Sequence, residues 1–262
     1  MTKNRIKEKP PSSAGRGKKT LSALTELSSG AFLEKLYALQ SAEELKKIRR
    51  YFKSGAGQYG EGDRFIGVKM GQVFALAKEF MNMPLPEIEK LLDNPVHEAR
   101  VGAVSIMDFQ ARDKKISSTR KKELFDLYLM RHDRINNWDL VDRSAIYVVG
   151  AYLADKPRTI LYKLARSKNI WHRRTAIVST AYFLKSKETH DTFQIAEMLL
   201  KDKEDLIHKA AGGWVREAGK KDRPRLLAFL EKHAAGMPRT MLRNALEHLD
   251  QKRKDYFMQK KA

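Results

Sequence analysis

From Leu21 onward, apolar residues return every three or four positions in segments of about 10–18 residues, separated by short polar or Pro/Gly stretches. That is the spacing of one helical face, and the strict alternation of a half-buried strand is nearly absent. The rhythm predicts helices over 31–39, 42–52, 69–81, 86–92, 96–111, 119–130 and 138–153. It continues over 158–165, 170–184, 189–200, 206–218, 224–234 and 238–246. A chain patterned this way buries its apolar stripes helix against helix, so the fold class is all-α.

Several of these helices resemble one another. Val96-His-Glu-Ala-Arg-Val-Gly-Ala-Val, Ile170-Trp-His-Arg-Arg-Thr-Ala-Ile-Val, Leu206-Ile-His-Lys-Ala-Ala-Gly-Gly-Trp and Pro238-Arg-Thr-Met-Leu-Arg-Asn-Ala-Leu each set a basic residue among small and apolar ones. Asp142-Arg-Ser-Ala-Ile is a fifth, weaker copy. Arg100, Arg143, Arg174, Lys209 and Arg243 mark the register, at spacings of 43, 31, 35 and 34 residues. A period of that size suits one helix pair per repeat, stacked into a HEAT-like solenoid; an ordinary helical bundle is the competing arrangement. In a solenoid the small residues let successive helices approach closely, and the basic residues line one concave face.

Charge indicates what such a face would meet. The chain has 52 Lys and Arg against 32 Asp and Glu, a formal charge of +20. A balance of that kind points to a polyanion: DNA, RNA or, less often, an anionic membrane surface. Residues 1–20 are rich in Lys, Arg, Pro, Ser and Gly and read as a disordered basic arm, which is either a source of loose phosphate contacts or a solubilising tail. Their seven basic residues and one Glu account for +6, leaving +14 for the other 242 residues. The basicity therefore belongs mainly to the folded body, expected as one domain over 21–250 with a basic C-terminal end at 251–262. No cysteine is present. That excludes disulfides, thiolate zinc sites, iron–sulfur clusters and any repair chemistry that transfers an alkyl group to sulfur. No apolar run reaches membrane-spanning length and no signal-peptide core opens the chain, so a cytoplasmic protein is expected, nucleoid-associated when on DNA.

Two stretches hold candidate chemistry. In Ile135-Asn-Asn-Trp-Asp-Leu-Val-Asp, Trp138 and Asp142 are four apart and share one helical face; capping and core packing would give the same pattern. In Asn169-Ile-Trp-His-Arg-Arg, Arg173 and Arg174 fall in the first turns of a helix, where the dipole disfavours cations and an external anion would favour them. A pairing with a carboxylate elsewhere in the chain is the alternative.

Taken in order, Trp138-Asp-Leu-Val-Asp142, Asn169-Ile-Trp-His-Arg-Arg174, His208-Lys-Ala-Ala-Gly-Gly-Trp-Val-Arg-Glu217 and Met237-Pro-Arg-Thr-Met-Leu-Arg243 resemble the AlkD-type DNA alkylation repair family. Tyr51-Phe-Lys-Ser-Gly and Tyr59-Gly-Glu-Gly-Asp-Arg-Phe-Ile-Gly-Val68 extend the similarity, which runs from about Leu36 to Leu249. The resemblance implies a glycosylase of HEAT-like repeats acting on N3- and N7-alkylated purines in double-stranded DNA, as a monomer and without metal or cofactor. It assigns Trp138, Asp142 and Arg174 to the active centre and places Tyr51 near it. Arg173, Arg100, Arg143, Lys209, Arg243, Lys69, Tyr51 and Trp214 are the expected DNA contacts. Two positions depart from the family pattern. Lys69 stands where the family can carry Gln. A second Trp usually follows Lys-Ala-x-Gly directly, whereas here Gly213 intervenes and Trp214 comes one residue later; a one-residue step turns a helical side chain by about 100° and would carry Trp214 off the site.

The residue types suit this chemistry on their own terms. An N-alkylated purine already carries positive charge and leaves as a neutral base, so no general acid is required. One carboxylate, Asp142, would stabilise oxocarbenium character on the sugar and position water. Trp138 would offer a π face to the cation, and Arg174 would hold a flanking phosphate. The sequence leaves open whether the lesion is flipped out; the resemblance points to one that stays largely in the duplex. Gly55 to Asp63 is Gly-rich but lacks the Gly-Lys-Ser/Thr ending of a phosphate loop and reads as a structured connection. The histidines show no metal-binding spacing; His97, His172 and His208 recur at similar repeat positions, as packing residues or phosphate contacts. A non-catalytic nucleic-acid scaffold and a protein-interaction solenoid are the competing functions.

Overall fold

A computed structural model describes residues 27–55 and 57–260. The expected basic arm, 1–20, lies outside them. Fourteen α-helices are present among the described residues: α1 Ser29–Ala38, α2 Ala42–Tyr51, α3 Met70–Glu79, α4 Leu85–Asp93, α5 His97–Arg112, α6 Ser118–Met130, α7 Trp138–Ser144, α8 Thr159–Ala165, α9 Ile170–Ser179, α10 His190–Met198, α11 Asp205–Lys221, α12 Arg223–His233, α13 Arg239–Leu246 and α14 Gln251–Gln259. No strand occurs among them; Arg64 and Val96 form an isolated parallel bridge. Among the described residues, no helix is long and apolar enough to cross a membrane.

The helices form two layers. In the inner row, α3, α5, α7, α9, α11 and α13 each pack on the next, while α4, α6, α8, α10 and α12 back them from outside. This is the helical-repeat arrangement expected from the period, and all five register residues, Arg100 to Arg243, fall on the inner row. Apolar side chains between the layers, including Ile106, Leu140, Val149, Ile177, Val215 and Leu242, are wholly or almost wholly buried in one continuous core. Burying a side chain of that size contributes roughly 1.5–3 kcal/mol.

Three departures from the expected helices have local causes. The segment 138–153 is not one α-helix: after Ser144 it widens into a π turn, Ala145–Gly150. The Ser144 hydroxyl donates back to the Leu140 carbonyl at 2.7 Å, just where the ladder changes register. The segment 170–184 tightens into 3₁₀ geometry over Thr180–Ser186 and ends at Lys187, whose φ is +60°. Ser179 and Thr180 hydroxyls there donate to the Thr175 and Ile177 carbonyls, both at 2.7 Å. Finally, α14 occupies the C-terminal end; its apolar residues are few, but Phe257 is buried and Arg239 donates to the Met258 carbonyl at 2.9 Å.

Close stacking of the inner row depends on glycine. A Cβ on Gly212 of α11 would lie 2.3 Å from the Met241 carbonyl oxygen and 2.8 Å from Asn244 Cβ, both on α13. The neighbouring Gly213 faces open space, with nothing within 4 Å of its Cβ position. Gly212→Ala is therefore expected to lower stability by about 2 kcal/mol through forced separation of α11 and α13, whereas Gly213→Ala should be neutral or stabilise by up to about 1 kcal/mol. Urea melts of the two variants check this, and equal midpoints would refute the glycine contact.

Candidate active site

Helix α7 begins where its sequence can cap it. The Asn137 side-chain oxygen accepts from the Trp138 amide at 2.8 Å, and its amide nitrogen donates to Asp63 at 2.8 Å. One turn on, Asp142 faces Arg174 of the next inner helix. Arg174 grips it with a two-point fork, Nε to Oδ1 at 2.8 Å and Nη2 to Oδ2 at 2.7 Å. Its Nη1 donates to the Leu206 carbonyl of α11 at 2.6 Å. Arg174 thus ties α7, α9 and α11 together. The pair is asymmetric: the guanidinium side chain is 8% exposed and the carboxylate side chain 39%. The fork that was expected on a flanking phosphate is here occupied by Asp142.

Asp142 borders two clefts. The larger, about 780 Å³, is walled by Tyr51, Phe52, Met70, Phe74 and Trp138, with Lys69 at its edge. The smaller, about 210 Å³, joins Asp142 and Arg174 to Lys209, Gly213 and Trp214. Trp214 therefore reaches the neighbourhood of Asp142 despite its one-residue displacement, a correction to the rotation argument. The tiny Gly213 beside it leaves that cleft open.

Beneath Trp138 lies a layered stack. Tyr51, 67% exposed, meets the Trp138 ring edge-on at 5.9 Å, and Phe52 stacks on Trp138 at 5.7 Å with the planes 17° apart. Below Phe52 is His97, completely buried, with ring centroids 5.2 Å apart. Its Nε2 donates to Asp139 at 2.7 Å, and Nδ1 faces Asp63 at 3.4 Å. Asp63 also accepts from Arg100. Burial opposes charge on the imidazole, but Asp139 and Asp63 outweigh it and raise the pKa to about 9. Burial likewise works against the Asp63 carboxylate, and His97 and Arg100 nevertheless hold its pKa below the ordinary value. Next in sequence, the buried Glu98 carboxylate accepts from the amides of Ile66, Gly67 and Val68 at 2.9–3.3 Å, fixing the preceding loop. Gly67 has φ +83°, and a Cβ there would collide with the Ser41 carbonyl at 2.1 Å. Glu98 and Gly67 thus fix the turn that leads into α3, and within the preceding Gly-rich segment the Gly60 amide donates to the Lys53 carbonyl at 2.9 Å and the Asp63 amide to the Gly60 carbonyl at 3.1 Å.

Other expected contacts divide sharply. Arg100 is buried on Asp63 and presents no surface to DNA. Arg143 turns inward, donating to Ser105 at 3.0 Å and pairing with buried Asp108 at 3.0 Å. Arg173 binds Asp202 and the carbonyls of Ser167 and Lys168 at 2.9 and 2.8 Å, bracing the turn before α9. All three are engaged by partners within the protein, and Arg143 also lines the larger cleft. Lys69, Lys209 and Arg243 are exposed. The network of His97, Asp63, Asp139 and Asn137 is not among the expected site residues; only the repeated histidine position hinted at it. Among the described residues, no three His, Asp or Glu side chains converge as metal ligands.

His97 gives the site a pH signature. With its folded pKa raised from an ordinary 6.5 to about 9, its stabilisation is complete below pH 6.5 and disappears as pH rises through 9. Chemical denaturation from pH 6.5 to 9.5 should show falling stability, with a slope of at most about 1.4 kcal/mol per pH unit from this one proton. His97→Gln should be less stable at pH 7 and lack that slope; an unchanged slope would show that the imidazole is not the charged partner.

Comparison with known proteins accords with this geometry. A family model for DNA alkylation repair enzymes matches residues 32–249. Among solved structures, the fold is similar to a protein described as a predicted DNA alkylation repair enzyme from Enterococcus faecalis, with a TM-score of 0.63 and 17% identity over 81% of this chain and 97% of that one. No curated protein matches the sequence. Matched over most of its length, the chain belongs to the DNA alkylation repair enzyme family and works in DNA repair.

Proposed function

We propose that the protein is a DNA glycosylase that hydrolyses the N-glycosidic bond of cationic alkylated purines, such as 3-methyladenine and 7-methylguanine, in duplex DNA. The observation that carries this reading is the position of Asp142: a fixed, part-exposed carboxylate where two clefts meet, one walled by Trp138 and the other by Trp214. Electron-rich ring faces and a carboxylate suit a cationic base and the sugar cation formed as it leaves.

The reaction follows from those groups. The bond from C1′ to N9 of the alkylated purine breaks, and its electron pair departs with the base, which becomes neutral. Positive charge then passes to the sugar, where Asp142 stabilises it. Water, held by donating a hydrogen bond to the same carboxylate, adds to C1′ and releases its proton to solvent, leaving an abasic site. Arg174 occupies one lone pair on each Asp142 oxygen; the remaining lone pairs face the clefts and are available to water and sugar. Lys69, Lys209 and Arg243 contribute phosphate contacts that hold the duplex without reading its sequence.

Release of 7-methylguanine and 3-methyladenine from methylated duplex DNA tests the reading. Asp142→Asn should slow release on the order of a hundredfold or more, the scale of losing one charge-stabilising group, while duplex affinity stays within about twofold. Undiminished activity in the variant would remove Asp142 from the chemistry. Binding without release by the unaltered protein would leave a non-catalytic DNA-binding scaffold as the function.

A further inference from the structure

The inner helices carry a second cluster, made of residues that do not line the clefts. Arg112 is the last residue of α5, Tyr147 lies in the π turn after α7, and Tyr182 and Lys185 lie in the 3₁₀ turn after α9. The Arg112 guanidinium sits 3.7 Å from the Tyr147 ring centre. Lys185 Nζ lies 4.1 Å from the same ring and 4.7 Å from the Tyr182 ring, and it donates to the Tyr147 hydroxyl at 2.6 Å. Three neighbouring inner helices thus converge on one spot.

Charge there is unbalanced. Arg112 and Arg143 both pair with Asp108, at 2.7 and 3.0 Å, and Asp108 is completely buried. Burial pushes the Asp108 carboxyl up, while Arg143, Arg112 and Lys185 oppose that rise. One carboxylate therefore serves three cations. Arg143 is half-buried, but the Arg112 side chain is 43% exposed and Lys185 is exposed. Helix C-termini favour cations at their ends, and ring faces favour them further. Neither effect uses the outward N–H groups of Arg112 and Lys185. Because Lys185 donates to Tyr147, that hydroxyl keeps its own hydrogen for an outside acceptor. Every group the cluster offers to solvent is a donor, so its ligand must be anionic and acceptor-only.

Helical geometry places the cluster on the same face as the clefts. Val101 lines the larger cleft and Arg174 the smaller. Arg112 follows Val101 by eleven residues of the same α-helix, close to three turns, so the two share one stripe about 16 Å long, and Lys185 lies beside Arg112 across the Tyr147 ring. We propose that Arg112, Lys185 and the Tyr147 hydroxyl form a separate contact for phosphates of duplex DNA, with Arg112 some three helical turns along α5 from Val101 in the wall of the larger cleft. A span of about 16 Å exceeds the roughly 12 Å width of the major groove, so one duplex can meet the clefts and the cluster together. The contact is independent of base excision, because phosphates are the same in damaged and undamaged DNA.

The test measures binding of unmodified duplex DNA over a range of salt, so its outcome does not depend on the glycosylase reading. For Arg112→Gln/Lys185→Gln, the slope of log affinity against log salt should become shallower by about 1.8, from about 0.9 for each of two lost phosphate contacts. Single-turnover release of 7-methylguanine at saturating protein should be unchanged. Unchanged affinity and slope in the double variant would overturn the proposal and leave the cluster as bracing for the helix ends. Should that variant fail to fold, Lys185→Gln alone carries the test, since its side chain is exposed: a slope shallower by about 0.9 supports the contact, and an unchanged slope refutes it. Loss of excision with the salt response intact would count against the phosphate contact, not against the excision chemistry assigned to Asp142.

Discussion

Arg174 joins three consecutive helices of the inner row and orients the carboxylate between the clefts. A guanidinium so little exposed has lost most of its hydration, and it regains that energy only when its fork and its third amino group all find acceptors. Asp142 and the Leu206 carbonyl provide them. The cation is therefore fixed by requirements of its own, and Asp142 inherits a fixed orientation while remaining open to solvent. A lysine could offer only a point charge at this position. Preorganisation is what a charge-stabilising carboxylate requires, since reorienting it during the reaction would consume part of its effect.

Much of the basic register serves the same internal purpose. Arg100, Arg143 and Arg173 each meet carboxylates from another part of the chain: Asp63, Asp108 and Asp202. Around His97, two cations and two carboxylates balance within a buried network that locks the loop before α3 against the start of α7. These pairs need not add stability over an apolar packing of equal volume, but each fixes a geometry that apolar contacts alone would leave free to slide. Lys69, Lys209 and Arg243 differ in being exposed, so that even where Lys209 pairs with Asp205 and Lys69 faces Glu44 the ammonium remains open to solvent.

The helical class and the inner row were legible because periodicity and repeat spacing report burial, and burial follows the backbone geometry closely. Trp138 and Asp142 were legible as neighbours because they stand four apart on one helical face, while Arg174 joined them only through the family resemblance. The direction in which a basic residue points was not. Arg100 and Lys209 occupy the same register position, yet one is buried and the other exposed, because only Arg100 has Asp63 folded over it by a loop distant in sequence. The π and 3₁₀ turns escaped for a related reason: Ser144, Ser179 and Thr180 redirect the backbone through hydroxyl bonds that leave the apolar rhythm intact. Helix α14 escaped because its long polar sequence hides a single buried anchor, Phe257.

Trp214 shows how local geometry can offset a change in sequence register. On an isolated helix, a one-residue shift moves a side chain by about 100°, enough to cross from one face to another. Here Gly212 lets α11 lie against the α13 backbone, and Gly213 beside it adds no side chain to the cleft. A large, flat ring at 214 can then reach toward Asp142 over a position that any other residue would fill. The two glycines act differently: Gly212 brings the helices together, and Gly213 keeps the space between Trp214 and the carboxylate open. A wall of this kind depends on the size of its ring and on the emptiness beside it more than on an invariant place in the repeat.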